Sequence, residues 1–483
     1  MTKKTKKYIL SLKLNKNKRT FTISGFWNAL KESIAGSDRD FTKIPISKAV
    51  FLLAIPMVLE MIMESIFAVV DIFFVSKMGA DAVATVGITE SLLTLIYAIA
   101  FGLAMGTTAL VSRRIGEKKN KEASAEGLQA IIVGLIVSLM IAVPGMVFAK
   151  DMLKLMGASE VILNEHSSYP IIMFGGNIVI MLLFINNAIF RGAGDAAIAM
   201  RVLWLANGLN IILDPLLIFG IGPFPEMGIA GAAVATNIGR GVAVFFQLYI
   251  LFKGSSRISI RHLPIHINWQ KIMHLINISA GGIGQMIIAT TSWVFMVRVI
   301  SHFGSEAVAG YTIAIRIVLF FLLPSWGLSN AAATLVGQNL GANRPDRAEK
   351  SVWAVAKINM IVLGIISFIF IIIPEPFIGF FTDEVKLIQI GSQCLQIVSY
   401  GFIFYGLGMV LVQAFNGSGD TKTPTKVNFI AFWLIEIPLA YFLALKVGLD
   451  ENGVFYAIII AESIMTLLGL YFFKKGKWKS QKV

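Results

Sequence analysis

The first long apolar stretch of the sequence carries three carboxylates on one helical face. Glu60, Glu64 and Asp71 are separated by four and by seven residues, so on an α-helix they fall within about 40° of one another. Carboxylates that face one another repel when both are ionised, and one of them then readily holds a proton. The stripe therefore predicts a site that binds a proton or another cation.

The same half of the chain offers further oxygen ligands. Asn207, Asn210 and Asp214 recur at spacings of three and four on one face of another predicted helix. Pro215 follows directly and leaves a backbone carbonyl free. Carboxylate, amide and carbonyl oxygens suit a sodium ion or a relay of protons. Neighbouring stretches add the candidates Glu90, Thr236 and Arg240.

The elements that position these groups are predicted to be membrane-spanning helices. Apolar residues make up 56% of the chain, charged residues make up 14%, and the mean hydropathy is +0.76, which is typical of an integral membrane protein. Twelve apolar stretches of the sequence are long enough to cross roughly 30 Å of hydrocarbon. They cover residues 46–75, 82–111, 128–148, 169–190, 197–219, 229–251, 272–300, 307–336, 352–373, 388–415, 425–445 and 454–473.

The net charge of the chain is +14, and the positions of its basic residues agree with the predicted topology. Lysine and arginine cluster in residues 3–19, in residues 474–482 and in every second loop between them, as expected for cytoplasmic segments. Both termini are therefore predicted to be cytoplasmic, in a protein of the bacterial cytoplasmic (inner) membrane. Because topology explains the charge, nucleic acid is not expected as a partner.

The chain consists of two related halves. Gly79 returns 225 positions later as Gly304, and Gly116 returns as Gly341. Six crossings per half make the repeats parallel, related by an axis along the membrane normal. The predicted fold is an all-α membrane protein of twelve transmembrane helices in two six-helix repeats. Its predicted segments are a basic tail (1–45), a six-helix lobe (46–252), a cytoplasmic linker (253–271), a second six-helix lobe (272–473) and a basic tail (474–483).

The acids are not repeated. At the same offset Asp71 is matched by Met296 and Asp214 by Leu439, so the chemistry is expected in the first half. The alternative is that these groups pair internally and only hold helices together, which is the expected role of Arg240. Five acids facing one arginine would leave a surplus of negative charge that favours function. For the isolated Glu436, Glu462, Arg298 and Arg316, structural and functional roles both stay open.

Taken together, these features resemble the multidrug and toxic compound extrusion (MATE) family of cation-coupled efflux transporters, from about Lys48 to Phe473. The resemblance rests on residues 70–79, on the turn 191–195 with its echo at 416–420, and on residues 210–215 followed by 231–236.

The resemblance implies a proton or sodium site in the first half, and no other cofactor. The implied ligands are Asp71, Asn210, Asp214, Thr236 and a fourth-helix asparagine, Asn187 or its neighbour Asn186. One branch of the family places an acid in the seventh helix, but residues 272–302 contain none, so no coupling site is expected in the second half. Four residues lie outside the general pattern of the family: Glu60, Glu64, Glu90 and Arg240. Together with Asn207 they are assigned to the substrate cavity.

The sequence therefore predicts a secondary active antiporter that exports organic, cationic amphipathic compounds in exchange for protons or sodium ions. We expect a monomer surrounded by membrane lipids. A flippase for a lipid-linked sugar is the alternative, but it would be expected to line its cavity with arginine and lysine to meet pyrophosphate, whereas this cavity is predicted to be acidic. An enzyme ranks last, since no His-Glu-x-x-His run or Walker A loop occurs.

Overall fold

The structure is a computed structural model that describes residues 23–254, 256–261, 263–264, 266–481 and 483. The basic residues predicted to form the start of the N-terminal tail lie outside the described residues. Every regular element among the described residues is helical. Ten single helices there are long and apolar enough to span a membrane, and two bent helix pairs bring the number of spans to twelve. The predicted all-α fold with twelve spans is confirmed.

The spans are numbered in chain order. They are α1 (Ile46–Ser76), α2 (Ala80–Gly116), α3 (Asn120–Val147), α4 (Ser168–Gly175 with Asn177–Ala193), α5 (Ala196–Ile218), α6 (Ile229–Lys253), α7 (Trp269–Ile300), α8 (Ser305–Gly341), α9 (Pro345–Ile372), α10 (Val385–Ser399 with Phe402–Ser418), α11 (Lys422–Lys446) and α12 (Asp450–Lys474). A further helix, Ile23–Ala35, precedes them.

The twofold repeat is visible in the helices themselves. The helices α2 and α8 have 37 residues each, and α3 and α9 have 28 each. Two predicted helices are not straight, because α4 bends by 40° and α10 by 57°. The bends lie at Gly176 and at Gly401, again 225 positions apart. A Cβ on Gly176 would lie 1.9 Å from the side-chain oxygen of Asn237, so glycine is what lets α6 pack against this bend.

The cores of the two repeats are shared at one end. Leu53 and Met57 of α1 belong to a buried apolar cluster together with Leu335 of the second repeat. Conversely, Leu275 of α7 lies in a cluster with Leu110 of the first repeat. The lobes predicted from the sequence are divided by position along the chain. In the structure, however, the first parts of α1 and α7 pack against the opposite repeat.

The repeats meet at the end where α1 begins and α12 ends, which we call the terminal face. There the backbones of α2 and α8 come very close. A Cβ on Gly116 would lie 2.1 Å from the carbonyl oxygen of Gln338, and one on Gly341 would lie 2.2 Å from that of Arg113. Both distances are far below van der Waals contact, so this crossing requires glycine on each helix.

Candidate functional site

Asn210, Asp214 and Thr236 form a buried cluster between α5 and α6, which we call the cation cluster. The Nδ2 of Asn210 donates to Oδ1 of Asp214 at 3.3 Å and to Oγ1 of Thr236 at 3.0 Å. The helices approach closely because Gly239 lies against the carbonyl of Ala206, where a Cβ would be 2.5 Å away. The predicted partners Asn210, Asp214 and Thr236 are thus brought together.

Two oxygens of the cation cluster have no donor. Oδ1 of Asn210 and Oδ2 of Asp214 are buried, with no hydrogen-bond partner in the described part of the chain. Buried polar atoms are normally satisfied. The cluster therefore presents two free acceptor oxygens, which a small cation, or a proton on Asp214, would satisfy.

Asp71 acts on this cluster as a charge, and Glu90 is linked to it through Asp71. Neither carboxylate has a hydrogen-bond or ion-pair partner within the described ranges. The charge of Asp71 acts on both Asp214 and Glu90, and the charge of Arg240 acts on Asp71 and Glu90. Three acids and one arginine therefore share one electrostatic environment.

A central cavity of about 270 Å³ lies between the repeats and is lined by Glu60, Glu64, Asn187, Arg191 and Arg240 together with apolar side chains. Oε1 of Glu60 accepts from Nη1 of Arg191 and from Nδ2 of Asn187, both at 3.2 Å. The side chain of Glu60 is only 1% exposed, so its charge is neutralised inside the protein by Arg191.

Glu64 is the more accessible acid of the cavity, with a side chain that is 30% exposed. Its Oε2 accepts from Nδ2 of Asn207 at 3.0 Å, and its Oε1 lies 3.9 Å from Nη2 of Arg240. Nη1 of Arg240 donates to the hydroxyl of Tyr97 at 3.3 Å. Arg240 therefore connects the cavity, through Glu64, with the charges around the cation cluster.

Two expectations from the sequence need correction. The acids face two arginines, Arg191 and Arg240, where one was expected. The central cavity also holds two acids and two arginines, so it is balanced in charge and not acidic. The acidic side chains in excess of the arginines lie outside the lining of the central cavity. They are Asp71, Glu90 and Asp214.

The two neighbouring asparagines of α4, Asn186 and Asn187, have different surroundings. Asn187 donates to Glu60, and its Oδ1 accepts from Nε2 of Gln247 at 2.6 Å. Asn187 and Glu60 both line the central cavity, so Asn187 belongs to the cavity and not to the cation cluster. Both amide atoms of Asn186 are buried without a partner among the described residues. Sequence reasoning missed Arg191 and Gln247, although Arg191 stands one helical turn after Asn187 and so shares its face.

The isolated charges of the second half also differ from one another. Arg298 and Arg316 are exposed. Glu436 is buried and accepts a hydrogen bond of 2.6 Å from Oγ of Ser292. Glu462 lines a second cavity.

Comparison with known proteins identifies relatives over most of the chain. The family model MatE matches residues 56–216 and 283–442, once in each repeat. The chain is 26% identical over 446 residues to the "Probable multidrug resistance protein NorM" of Thermotoga maritima, covering 91% of this chain and 94% of that protein. It is 26% identical over 431 residues to the "FAD transporter" of Shewanella oneidensis, covering 88% and 94%.

A solved structure of a MOP superfamily transporter from Pyrococcus furiosus shares the fold. The TM-score is 0.86 at 22% sequence identity, and the match covers 92% of this chain and 98% of that chain. At this identity the likeness concerns the fold alone.

Proposed function

The chain belongs to the MATE family of membrane transporters, and on that premise we propose that it is a secondary active antiporter. It is an integral membrane protein that transports a small molecule and is not an enzyme. In the proposed cycle it exports organic, cationic amphipathic compounds in exchange for protons or sodium ions. The coupling ion binds at the cation cluster with Asp71.

The main support for this proposal is the pair of free acceptor oxygens on Asn210 and Asp214. A carboxylate and an amide oxygen that are buried without donors are costly in a membrane protein. A proton on Asp214 removes its charge, and a sodium ion takes both oxygens as ligands. Either ion would leave the cluster satisfied, so the site is suited to alternate between occupied and empty states.

Arg240 offers a route for coupling. Its guanidinium lies beside Glu64 in the central cavity and acts on Asp71 near the cation cluster. When the coupling ion neutralises Asp71, Arg240 loses one of its attractions on that side and moves towards Glu64. The cavity then becomes less favourable for a positive substrate. Ion and substrate thus favour different states, which is all that exchange requires.

The proposed orientation places the terminal face in the cytoplasm of a bacterium, with the protein acting as a monomer in the inner membrane. The support is the basic side chains gathered there, which include Lys118, Arg257, Arg344 and Arg347. Cytoplasmic loops are enriched in such residues. In this orientation the structure is closed towards the cytoplasm.

Transport in vesicles tests the proposal. The purified protein is reconstituted, a pH gradient or a sodium gradient is imposed separately, and movement of a fluorescent organic cation is followed. We expect one gradient to drive transport, and Asp214→Asn to reduce the driven rate at least about tenfold because the variant cannot exchange the ion's charge.

The matched control is Glu375→Gln, which makes the same kind of change at an exposed acid of the second repeat that lines neither cavity. It should transport at the wild-type rate. Gradient-driven transport by Asp214→Asn at the wild-type rate, with equal protein in the vesicles, would rule out this cation site.

An anionic cargo, such as a lipid-linked sugar with its pyrophosphate, is the second candidate because Arg191 and Arg240 line the central cavity. Each arginine is already placed beside a glutamate, Glu60 or Glu64, so little positive charge is left for a phosphate. The same vesicles loaded with FAD discriminate between the candidates. Driven export of FAD without export of organic cations would favour the anionic cargo.

A further inference from the structure

A second cavity, of about 170 Å³, is lined by the second repeat and by Met105 of α2. We call it the Glu462 pocket. Met105, Met286, Trp326 and Gln413 line both this pocket and the central cavity. The two spaces therefore adjoin, and together they reach the size range of sites for small organic ligands.

Among the described residues that line the pocket, Glu462 is the only one with a charged side chain. Its carboxylate has no hydrogen-bond or ion-pair partner in the described part of the chain. An ionised carboxylate at membrane depth without a partner is costly. The acids of the central cavity differ in this respect, since Glu60 and Glu64 each lie beside an arginine.

Two more polar groups of the pocket are unpartnered. Tyr405 is 5% exposed and Asn428 is 7% exposed, and both line the pocket. The hydroxyl of Tyr405 and Oδ1 of Asn428 are buried with no hydrogen-bond partner among the described residues. A purely structural acid would be expected to use such neighbours, as Glu436 uses Ser292.

The remaining walls are mainly apolar and polarisable, and two of their polar members, Gln285 and Ser329, already have hydrogen-bond partners. The apolar members include Met409, Met465, Phe432 and Trp326. Aromatic faces attract organic cations, and thioethers adapt to flat apolar bodies. A small hard ion would instead need a shell of oxygen ligands, which such walls do not favour.

We propose that the Glu462 pocket binds the positively charged part of the exported organic cation, with the carboxylate of Glu462 as its counter-ion. This inference rests on the proposed function as an exporter of organic cations. It assigns the two tasks to different repeats: the first repeat holds the coupling ion, and the second repeat holds the charge of the substrate.

Equilibrium binding of ethidium, a fluorescent aromatic cation, tests the assignment on the purified full-length protein in detergent. We expect Glu462→Gln to weaken ethidium binding by roughly ten- to a hundredfold, since one opposite charge at partial burial is lost. Glu462→Asp keeps the charge and should bind within about threefold of wild type, because its affinity change then reflects only the shorter side chain. The control Glu375→Gln makes the same change of charge at an exposed acid of the second repeat that does not line the pocket, and it should bind as wild type does.

Three outcomes would overturn the inference. One is unchanged ethidium affinity in a monodisperse Glu462→Gln variant. Another is an equal loss in Glu462→Gln and Glu375→Gln, which would indicate a general effect of removing an acid. The third is sodium binding, measured without ethidium, that depends on Glu462 while ethidium binding does not.

The result is separable from that of the vesicle assay. If gradient-driven transport depends on Asp214 but the affinity for ethidium does not depend on Glu462, this inference fails and the antiport proposal stands. If no gradient drives transport, the antiport proposal fails, and ethidium binding still reports on the pocket.

Discussion

At the scale of single residues, Arg191 allows Glu60 to be buried at mid-membrane, because it supplies the opposite charge. Their charged atoms lie 3.2 Å apart, and the two side chains are 12% and 1% exposed. Removing one partner of such a pair leaves an unpaired charge, which costs about 3–5 kcal/mol, whereas replacing both with apolar groups is often neutral. The pair therefore fixes α1 against α4 whether or not it also contacts a substrate.

The first prediction at this scale concerns that pair. Arg191→Leu should lower the free energy of unfolding in mixed micelles by about 3–5 kcal/mol, because Glu60 is left without its partner. The double variant Glu60→Leu with Arg191→Leu should recover most of the loss. The exposed Arg298 of α7 provides the control, since Arg298→Leu removes an arginine without removing a buried partner. Equal losses in the single and double variants would contradict the argument.

The candidate site was partly predictable from the sequence. Asn210 and Asp214 lie four residues apart on one helix, so local periodicity alone places them together. The bonds from Asn207 to Glu64 and from Arg191 to Glu60 join different helices. Which face of α4 meets α1 depends on the bend at its middle and on packing, and neither is encoded in spacing along the chain.

At the scale of elements, the crossing of α2 and α8 closes the terminal face. Gly116 faces the backbone of α8, and Gly341 faces the backbone of α2. These glycines stand at equivalent positions of the two repeats, 225 residues apart. Since backbone cannot move aside as a side chain can, any Cβ at these positions disfavours the closed crossing.

The close crossing of α2 and α8 makes the closed state sensitive to a single added methyl group. Gly341→Ala should shift the population away from the closed terminal face, because its Cβ would lie 2.2 Å from the carbonyl oxygen of Arg113. Spin labels on Glu122→Cys and Lys350→Cys, in a Cys394→Ala background, should then report longer distances across that face by pulsed electron resonance.

The matched control is Gly364→Ala in α9. There the nearest heavy atom to an added Cβ is 3.5 Å away on Ile403, which is ordinary contact. It should leave the distance distribution unchanged. An unchanged distribution in Gly341→Ala as well would show that the crossing can relax without opening.

Helices were far easier to predict than their breaks. Apolar length sufficed for all twelve spans, because a hydrocarbon layer leaves the chain no alternative to helix. The bends of α4 and α10 were not predicted from the sequence. Glycine is common in membrane helices, so its presence does not by itself indicate a bend. The Cβ that Gly176 lacks matters only because Asn237 of α6 occupies that space.

At the scale of the whole molecule, residues 36–45 cross from one repeat to the other. We call them the N-terminal strap. From the second repeat, Arg344 donates to the carbonyl of Thr42 at 2.9 Å and Arg347 to that of Phe41 at 3.0 Å. From the first repeat, Lys118 bonds to Asp40 at 2.8 Å. The strap thus ties both repeats together where they are closed.

The ion pair of the strap does not respond to physiological pH. Burial alone would raise the pKa of Asp40, but hydrogen bonds from Lys118 and Thr42 outweigh it and hold the pKa at about 2. A lowered pKa contributes stability that is present above the ordinary value of about 3.9 and is lost only as pH falls towards the folded value. The strap therefore acts as a constant clamp, and any response to protons must arise elsewhere, at the acids between the helices.

The last prediction concerns that clamp. Arg344→Ala combined with Arg347→Ala removes the bonds of the second repeat to the strap and leaves those of the first repeat in place. The strap then keeps only its apolar packing against the second repeat, through Phe41 and Ile44. It therefore opposes separation less, and the same spin-label pair should report a larger open population. Arg261→Ala, which removes an exposed arginine of the loop between α6 and α7, should have no effect.

If the double variant keeps the wild-type distances, the glycine crossing alone holds the terminal face closed and the strap only covers it. An increase confined to the double variant instead makes closure a joint property of the helix crossing and of a segment that lies outside both six-helix repeats.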